Sequence, residues 1–404
     1  MAIASGVAKR VAFKKESTWG TAAGTSGGQY LRRVTSSLDL RKETYQSSEI
    51  RRDYQVSDMR HGVRSVDGSI NGELSAGTWQ KFLAAALRRD FGTAITSTAL
   101  TNVTAAATAP QFVRAAGSFL TDGFKVGMVI RWTGWATTGT TNNSRNFLIT
   151  ALTATNMTGV FLDGTTPGAK ASGDSVTALE VGKHTYAPAS SHTDDSFSIE
   201  HWYSDIAQSE LFTGCKLQSL GFQLPPTGIA TVEGQFLGKD VTTATAEYYA
   251  SVTAETTTGV LAAVNGALYL QGSAVALLTG LNFTINGNMS GVPVVGSNTY
   301  ADINEGRIVV EGQITALFQD ATIRDYFINE TEVALTAVLT SANSATADFV
   351  AFTMPRIKVG GAAKDDGEKG LVQTLPFTAL YNGSGGSGTS SEATTIQIQD
   401  SQAA

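Results

Sequence analysis

SSLDLRKETYQ (36–46), VRSVDGSINGEL (63–74) and GTWQKFLAAALRR (77–89) are the stretches that decide the fold reading of this 404-residue chain. Apolar and polar side chains alternate over Ser37 to Tyr45 and again over Val63 to Leu74. That is the period of a strand with one face turned inward. The third stretch changes period. Trp79, Phe82, Leu83 and Ala86 recur at spacings of three and four, giving a short helix with one apolar face whose aromatic residues read as core.

The same order of elements recurs further on. TGLNFTINGNM (279–289) and RIVVEGQITALF (307–318) precede QDATIRDYFIN (319–329), in which Ile323, Tyr326 and Phe327 form the corresponding face. SFSIEHW (196–202) answers EVALTAVL (332–339), GCKLQSLGFQL (214–224) answers FTMPRIKVG (352–360), and TVEGQFLG (231–238) answers LVQTLPFTAL (371–380). The likeness is one of order more than of letters, VEGQF and VEGQI being the nearest in letters. It predicts a duplicated unit, each copy an antiparallel sheet folded against itself with one flanking helix.

The remaining segments fall around these units. Residues 31–99 and 186–240 make the first and 279–382 the second. Residues 100–185 carry short apolar runs separated by Gly and Asn/Asp turns and predict a small inserted β domain. Residues 241–278 read as an inter-unit connection with a hairpin, and 1–30 as an N-terminal arm. Residues 383–404 read as a flexible C-terminal tail whose TTIQIQ could be lent as a strand to another copy.

Composition narrows the function. Charged residues are 16%, below the roughly 25% usual for soluble domains, so small neutral side chains or contacts with further copies must cover the surface. The balance of 29 Lys+Arg against 35 Asp+Glu, net -6, argues against gripping nucleic acid through its phosphates. The single cysteine, Cys215, lies in a strand-like stretch and reads as a structural thiol, which excludes an intrachain disulfide or a cysteine-rich metal site. The opening MAIASGVAKRVAF has too short an apolar run for a signal peptide, and no run is long enough to cross a membrane as a helix.

Chemistry leaves no signature. Nucleotide-binding glycine loops, HExxH and GxSxG are all lacking, and the four histidines, His61, His184, His192 and His201, form no metal or base pattern. Asp365, Asp366, Glu368 and Lys369 read as a solvated turn, and His201 with Trp202 and Tyr203 as strand packing. No catalytic, cofactor-binding or metal residue is assigned, and the chain reads as a non-enzyme. Glu43 to Gly62 differs, being too long for a plain hairpin loop and charged with both signs. Tyr45, Arg51, Arg52, Asp53, Tyr54, Asp58 and Arg60 are its candidates for contact between subunits or rings, alternating charge being suited to fixing register.

The run from Leu31 to Arg89 resembles the opening of tail tube proteins of long-tailed bacteriophages and prophages. The resemblance implies tube domains that are β-sandwiches with a flanking helix, six to a ring, with rings stacked around a lumen that conducts DNA. Two units per chain then imply a trimeric pseudohexamer; without the duplication a homohexamer follows. Strands 37–45, 63–74, 279–289 and 307–318 would build the lumen, with Asp39, Glu73 and Glu311 as lumen candidates and 43–62 as the stacking loop. The implied partners are further copies, tape measure, tail terminator and baseplate proteins, and double-stranded DNA in non-specific passage. The implied location is the virion tail, after assembly in the host cytoplasm. Two alternatives stay open at this point. One is another virion structural protein: a terminator, baseplate or capsid decoration. The other is a carbohydrate-binding or adhesion module using Trp132 and Trp135.

Overall fold

The computed structural model describes residues 3–107, 110–275, 278–319, 322–365, 368 and 370–404. It is mostly β, built on one large curved sheet and a smaller one. Elements of the large sheet are β1 (Lys9–Lys15), β2 (Asp39–Gln46), β3 (Met59–Glu73), α1 (Gln80–Leu87), β4 (Phe197–Tyr203), β5 (Gln208–Leu224) and β6 (Thr231–Gly238). They continue with β7 (Gly266–Leu270), β8 (Leu278–Asn286), β9 (Val309–Leu317), α2 (Thr322–Ile328), β10 (Val333–Thr340), β11 (Phe349–Val359), β12 (Val372–Ala379) and β13 (Gln397–Asp400).

One pairing scheme occurs twice. β1 pairs with β4, β4 with β5, β5 with β6, β6 with β3 and β3 with β2, all antiparallel. In the same way β7 pairs with β10, β10 with β11, β11 with β12, β12 with β9 and β9 with β8. The second half of β5 then pairs with β8, from Ser219↔Asn286 to Leu224↔Leu281, so both sets belong to one sheet. Helices α1 and α2 end alike: Arg88 and Glu330 take the left-handed conformation, and their N–H groups donate to Ala85 and Phe327 carbonyls.

Burial follows the pleat. Leu38, Val66, Ile70, Val232 and Phe236 point into a core closed by α1, as Phe283, Ile285, Val310, Ile314, Leu375 and Phe377 do in the second set. Phe82 meets Phe13, Trp79, Phe197 and Phe236 at ring-centroid distances of 4.7, 5.8, 5.0 and 5.3 Å. The expected face of α1 is therefore core. That of α2 is only partly so: Tyr326 packs against the core but Phe327 is exposed, and the side chain of Ile323 lies outside the described residues. Where the sets join, Phe222 lies 4.9 Å from Phe283 and 4.8 Å from Phe352, centroid to centroid.

Between α1 and β4 the chain builds the second sheet. Its six strands run in the order Thr177–Glu180, Val129–Thr133, Phe147–Leu152, Asn156–Phe161, Gln111–Arg114 and Val103–Ala106. Bridges Leu100↔Val176 and Ala105↔Lys170 bring its edges together. Phe112, Phe119, Phe124, Trp132, Trp135 and Phe147 fill a separate core.

The ends depart from expectation. β1 lies inside the stretch read as an arm, and β7 inside the stretch read as a connection, each adding an outer strand to its set. The flexible tail is corrected: β13 lies between Lys183–Tyr186 and β11 of its own chain, and Ile396 and Ile398 are buried. Gln399 fixes it by donating to the carbonyls of Val129 and Val181 and accepting from the Val129 N–H. Asp366 and Lys369 of the charged turn lie outside the described residues, while Asp365 and Glu368 are exposed.

Candidate functional site

The candidate site is a surface: the open face of the large sheet, its edges and its long hairpins. Because side chains alternate along a strand, Val66 and Ile70 on the core side leave Asp67, Ser69, Asn71 and Glu73 on the open side. Val310 and Ile314 likewise leave Glu311 and Gln313 there, and Asp39 stands opposite Asp67. Asp39, Glu73 and Glu311 thus share one open face, although sequence alone left strand phase undecided. Asp67 and Glu233 join them, Glu233 standing opposite Asn71. Neither was singled out in the sequence, where each follows a buried valine, Val66 and Val232, as its readable signal. Two carboxylates directly opposed, Asp39 and Asp67, disfavour the pair, and Arg41 offsets this at 2.7 Å from Asp67. Neutral side chains, Asn282, Thr284, Gln313 and Thr315, line the ladders beside Glu311, and Lys358 joins the face opposite Thr378, which itself opposes Glu311.

Among the described residues, the ladder that runs from β2 through β3, β6, β5, β8, β9 and β12 ends on β2 at one side and on Ala363–Lys364, which continues the line of β11 beside β12, at the other; further short edge strands such as Asp240–Ala244 lie off this ladder. β2 and Ala363–Lys364 each have one ladder partner. Such edges offer backbone N–H and C=O groups to another strand.

The hairpins between β2 and β3 and between β8 and β9 share a register. Tyr45↔Arg60 and Gln46↔Met59 in the first correspond to Ser290↔Asn304 and Gly291↔Ile303 in the second. Five letters agree as well: Asp58, Gly62, Val66, Gly68 and Ile70 stand where Asp302, Gly306, Val310, Gly312 and Ile314 stand, and the acid Asp67 stands where Glu311 does. The likeness of VEGQF to VEGQI, by contrast, joins β6 to β9, which occupy different places in the scheme.

The second hairpin folds onto the first set. Lys216 reaches the Ile303 carbonyl at 3.1 Å, with Asp194 at 2.6 Å and Asp302 at 3.7 Å. Arg88 meets Glu305 at 3.1 Å and donates to the Gly287 carbonyl. Burial raises the Glu305 carboxyl and the Arg88 charge opposes it. The first hairpin instead projects freely. Its candidates pair within the loop, Arg51 with Asp53 at 2.7 Å and Arg60 with Asp58 at 2.8 Å, while Tyr45 donates to Glu43. Arg52 and Tyr54 are exposed at its tip.

The titratable side chains inside the protein serve packing. His201, held at about 4 by burial, is neutral and bonds Ser36 Oγ through Nε2 at 2.8 Å. His184 pairs with Glu180 at 2.7 Å, and burial raises the Cys215 thiol well above its ordinary range. Among the described residues no group of three His, Cys, Asp or Glu side chains could hold a metal ion, and no helix is long and apolar enough to cross a membrane. Trp132 and Trp135 are buried in the insert core, so they offer no platform for a sugar.

No curated protein matches the chain, but a family model described as phage tail tube protein matches residues 6–379. A sheet with an acidic open face, an unfilled edge at each end of its main ladder and a projecting hairpin is what a self-assembling conduit needs, and with that match the chain belongs to the phage tail tube protein family, as a structural, non-enzymatic subunit of the tail tube.

Proposed function

We propose that the chain holds two tandem tube units, 9–238 and 266–379, each a β-sandwich with one helix, and that three copies close a ring of six units. The observation that carries this is the β5·β8 ladder. It joins the first unit's fifth strand to the second unit's counterpart of β2, and the ends of the main ladder are those two kinds of strand, Ala363–Lys364 and β2. Joining them between copies closes that ladder into a continuous wall around the ring. A homohexamer would have to place twelve such units in one ring.

In this reading the open face lines the lumen, with Asp39, Asp67, Glu73, Glu233 and Glu311 turned toward the passing DNA. Tight protein–DNA binding draws on cations that displace counterions from phosphates, so a wall on which acids outnumber bases and Arg41 is held by Asp67 lets the duplex slide. The insert leaves the chain where the second unit has only the short link 329–332, beside the helix and away from the open face, and projects outward. Rings stack head to tail through the exposed tip of the first hairpin, Arg51 to Tyr54. Tape measure, terminator and baseplate proteins are the expected partners, in the virion tail after assembly in the host cytoplasm. End-on views of assembled tubes by electron microscopy test the ring: three protrusions per annulus support it, and six overturn it.

A further inference from the structure

Within the chain, one junction between units is on view, and it specifies the junction between copies. Lys216 of β5 corresponds to Lys358 of β11, because Leu237 and Thr378 oppose them at matching places on β6 and β12. Both lysines hold an acid that stands three residues before β4 or β10: Asp194 at 2.6 Å and Glu330 at 2.7 Å. The first pair is capped by Asp302 and the Ile303 carbonyl from the second hairpin, which leaves the Lys216 side chain 1% exposed. Among the described residues the second pair has no cap, and Lys358 remains 39% exposed. The counterparts of the cap, Asp58 and Met59, stand on the projecting hairpin. Met59 is 50% exposed where Ile303 is 1% exposed.

We propose that Asp58 and Met59 of one copy seat on Lys358 and Glu330 of the next, as Asp302 and Ile303 seat on Lys216 and Asp194 within the chain. This rests on the ring reading and gives it a register. Gly221 opposes Glu233 and Thr284 in the internal junction. Ala363 opposes Thr374 as Gly221 opposes Glu233, and Asp39 opposes Asp67 as Thr284 opposes Glu311. Ala363 of one copy therefore lies opposite Asp39 of the next, with Ala362 opposite Leu40. The occupant of the edge is a second copy of this chain. The charges fit: an acid from the hairpin meets a lysine with donors to spare, and Met59 moves from solvent to a covered position like that of Ile303.

The test is cysteine crosslinking in assembled tubes. Asp39→Cys with Ala363→Cys should form an interchain disulfide on oxidation, since directly opposed residues lie within disulfide reach. Covalent species should stop at the trimer. Asp39→Cys with Lys364→Cys should stay uncrosslinked, because a one-residue shift puts the side chain on the other face. Asp58→Lys or Lys358→Asp should each raise the concentration needed for assembly by roughly tenfold or more, and the double swap should restore it. Threefold rings without the Asp39/Ala363 crosslink would overturn the register and leave the ring. Crosslinks extending to hexamers would overturn the trimeric ring while keeping the seam. Failure of the double swap to restore assembly would overturn the cap.

Discussion

Phe222→Ala tests whether the two sets fold as one body. The ring is buried, pairs directly across from Phe283 on β8, and touches Phe352 on β11. Removing a buried Phe costs about 3–5 kcal/mol through lost transfer energy and the residual cavity. The two aromatic partners place this site near the upper part of that range, since such pairs add roughly 0.5–1.5 kcal/mol each. A loss of about 4 kcal/mol is expected in guanidinium unfolding. Hydrogen exchange should show β5 and β8 losing protection together, because their amides share the ladder Ser219↔Asn286 to Leu224↔Leu281. Trp132→Ala is the comparison: it opens a cavity of similar kind in the insert core, and protection should fall there first. A loss under about 1 kcal/mol for Phe222→Ala, or loss of protection in β5 alone, would refute the shared core.

Three further outcomes are expected. Gly312→Ala should destabilise by about 2 kcal/mol or more in the same assay, because a methyl there would sit 2.4 Å from the Asn282 carbonyl and 2.7 Å from the Phe377 ring. His201 and Asp400 should work against each other with pH. Burial lowers the imidazole to about 4, so its contribution is full above the unfolded value near 6.5 and is lost as pH falls toward 4; burial raises the Asp400 carboxyl to about 6, so its contribution grows as pH falls from 6 toward 3.8. Asp400→Asn should therefore steepen the loss of stability between pH 6.5 and 4 by about 3 kcal/mol, and His201→Gln should reverse its sign, both read from denaturation midpoints across pH. Glu73→Lys with Glu311→Lys should slow DNA ejection most at low salt while tube length stays unchanged; unchanged ejection would remove the lumen assignment.

Strands and helices with local periodicity were legible in the sequence. The alternation at 37–45, 63–74, 279–289 and 307–318 and the spacing of Trp79, Phe82, Leu83 and Ala86 are short-range facts about which side is apolar. What stayed hidden depends on distant partners. β1, KRVAFKK, and β7, GALYL, are short, and it is chiefly the distant β4 and β10 that make them strands. β13 follows a Gly/Ser run that looks mobile, yet Ile396 and Ile398 meet the core and Gln399 finds backbone partners in the insert. The face shared by Asp39, Glu73 and Glu311 required the register of six strands, from β2 through β3, β6, β5 and β8 to β9, which no single stretch records. The correspondence of Asp58 with Asp302 surfaced only once both hairpins were seen in register, because Glu305 and Arg307 stand where His61 and Val63 do.

β13 also sets an order of events during synthesis. It bridges Lys183–Tyr186, at the end of the insert, to β11, and both have left the ribosome before Gln397 is made. Until then each presents a bare strand edge, and the insert lacks the Gln399 tie to Val129 and Val181. A nascent chain is thus held short of its finished outer surface while its two sets of paired strands can already form. Chaperone occupancy on the growing polypeptide should persist until Gln397 to Asp400 emerge.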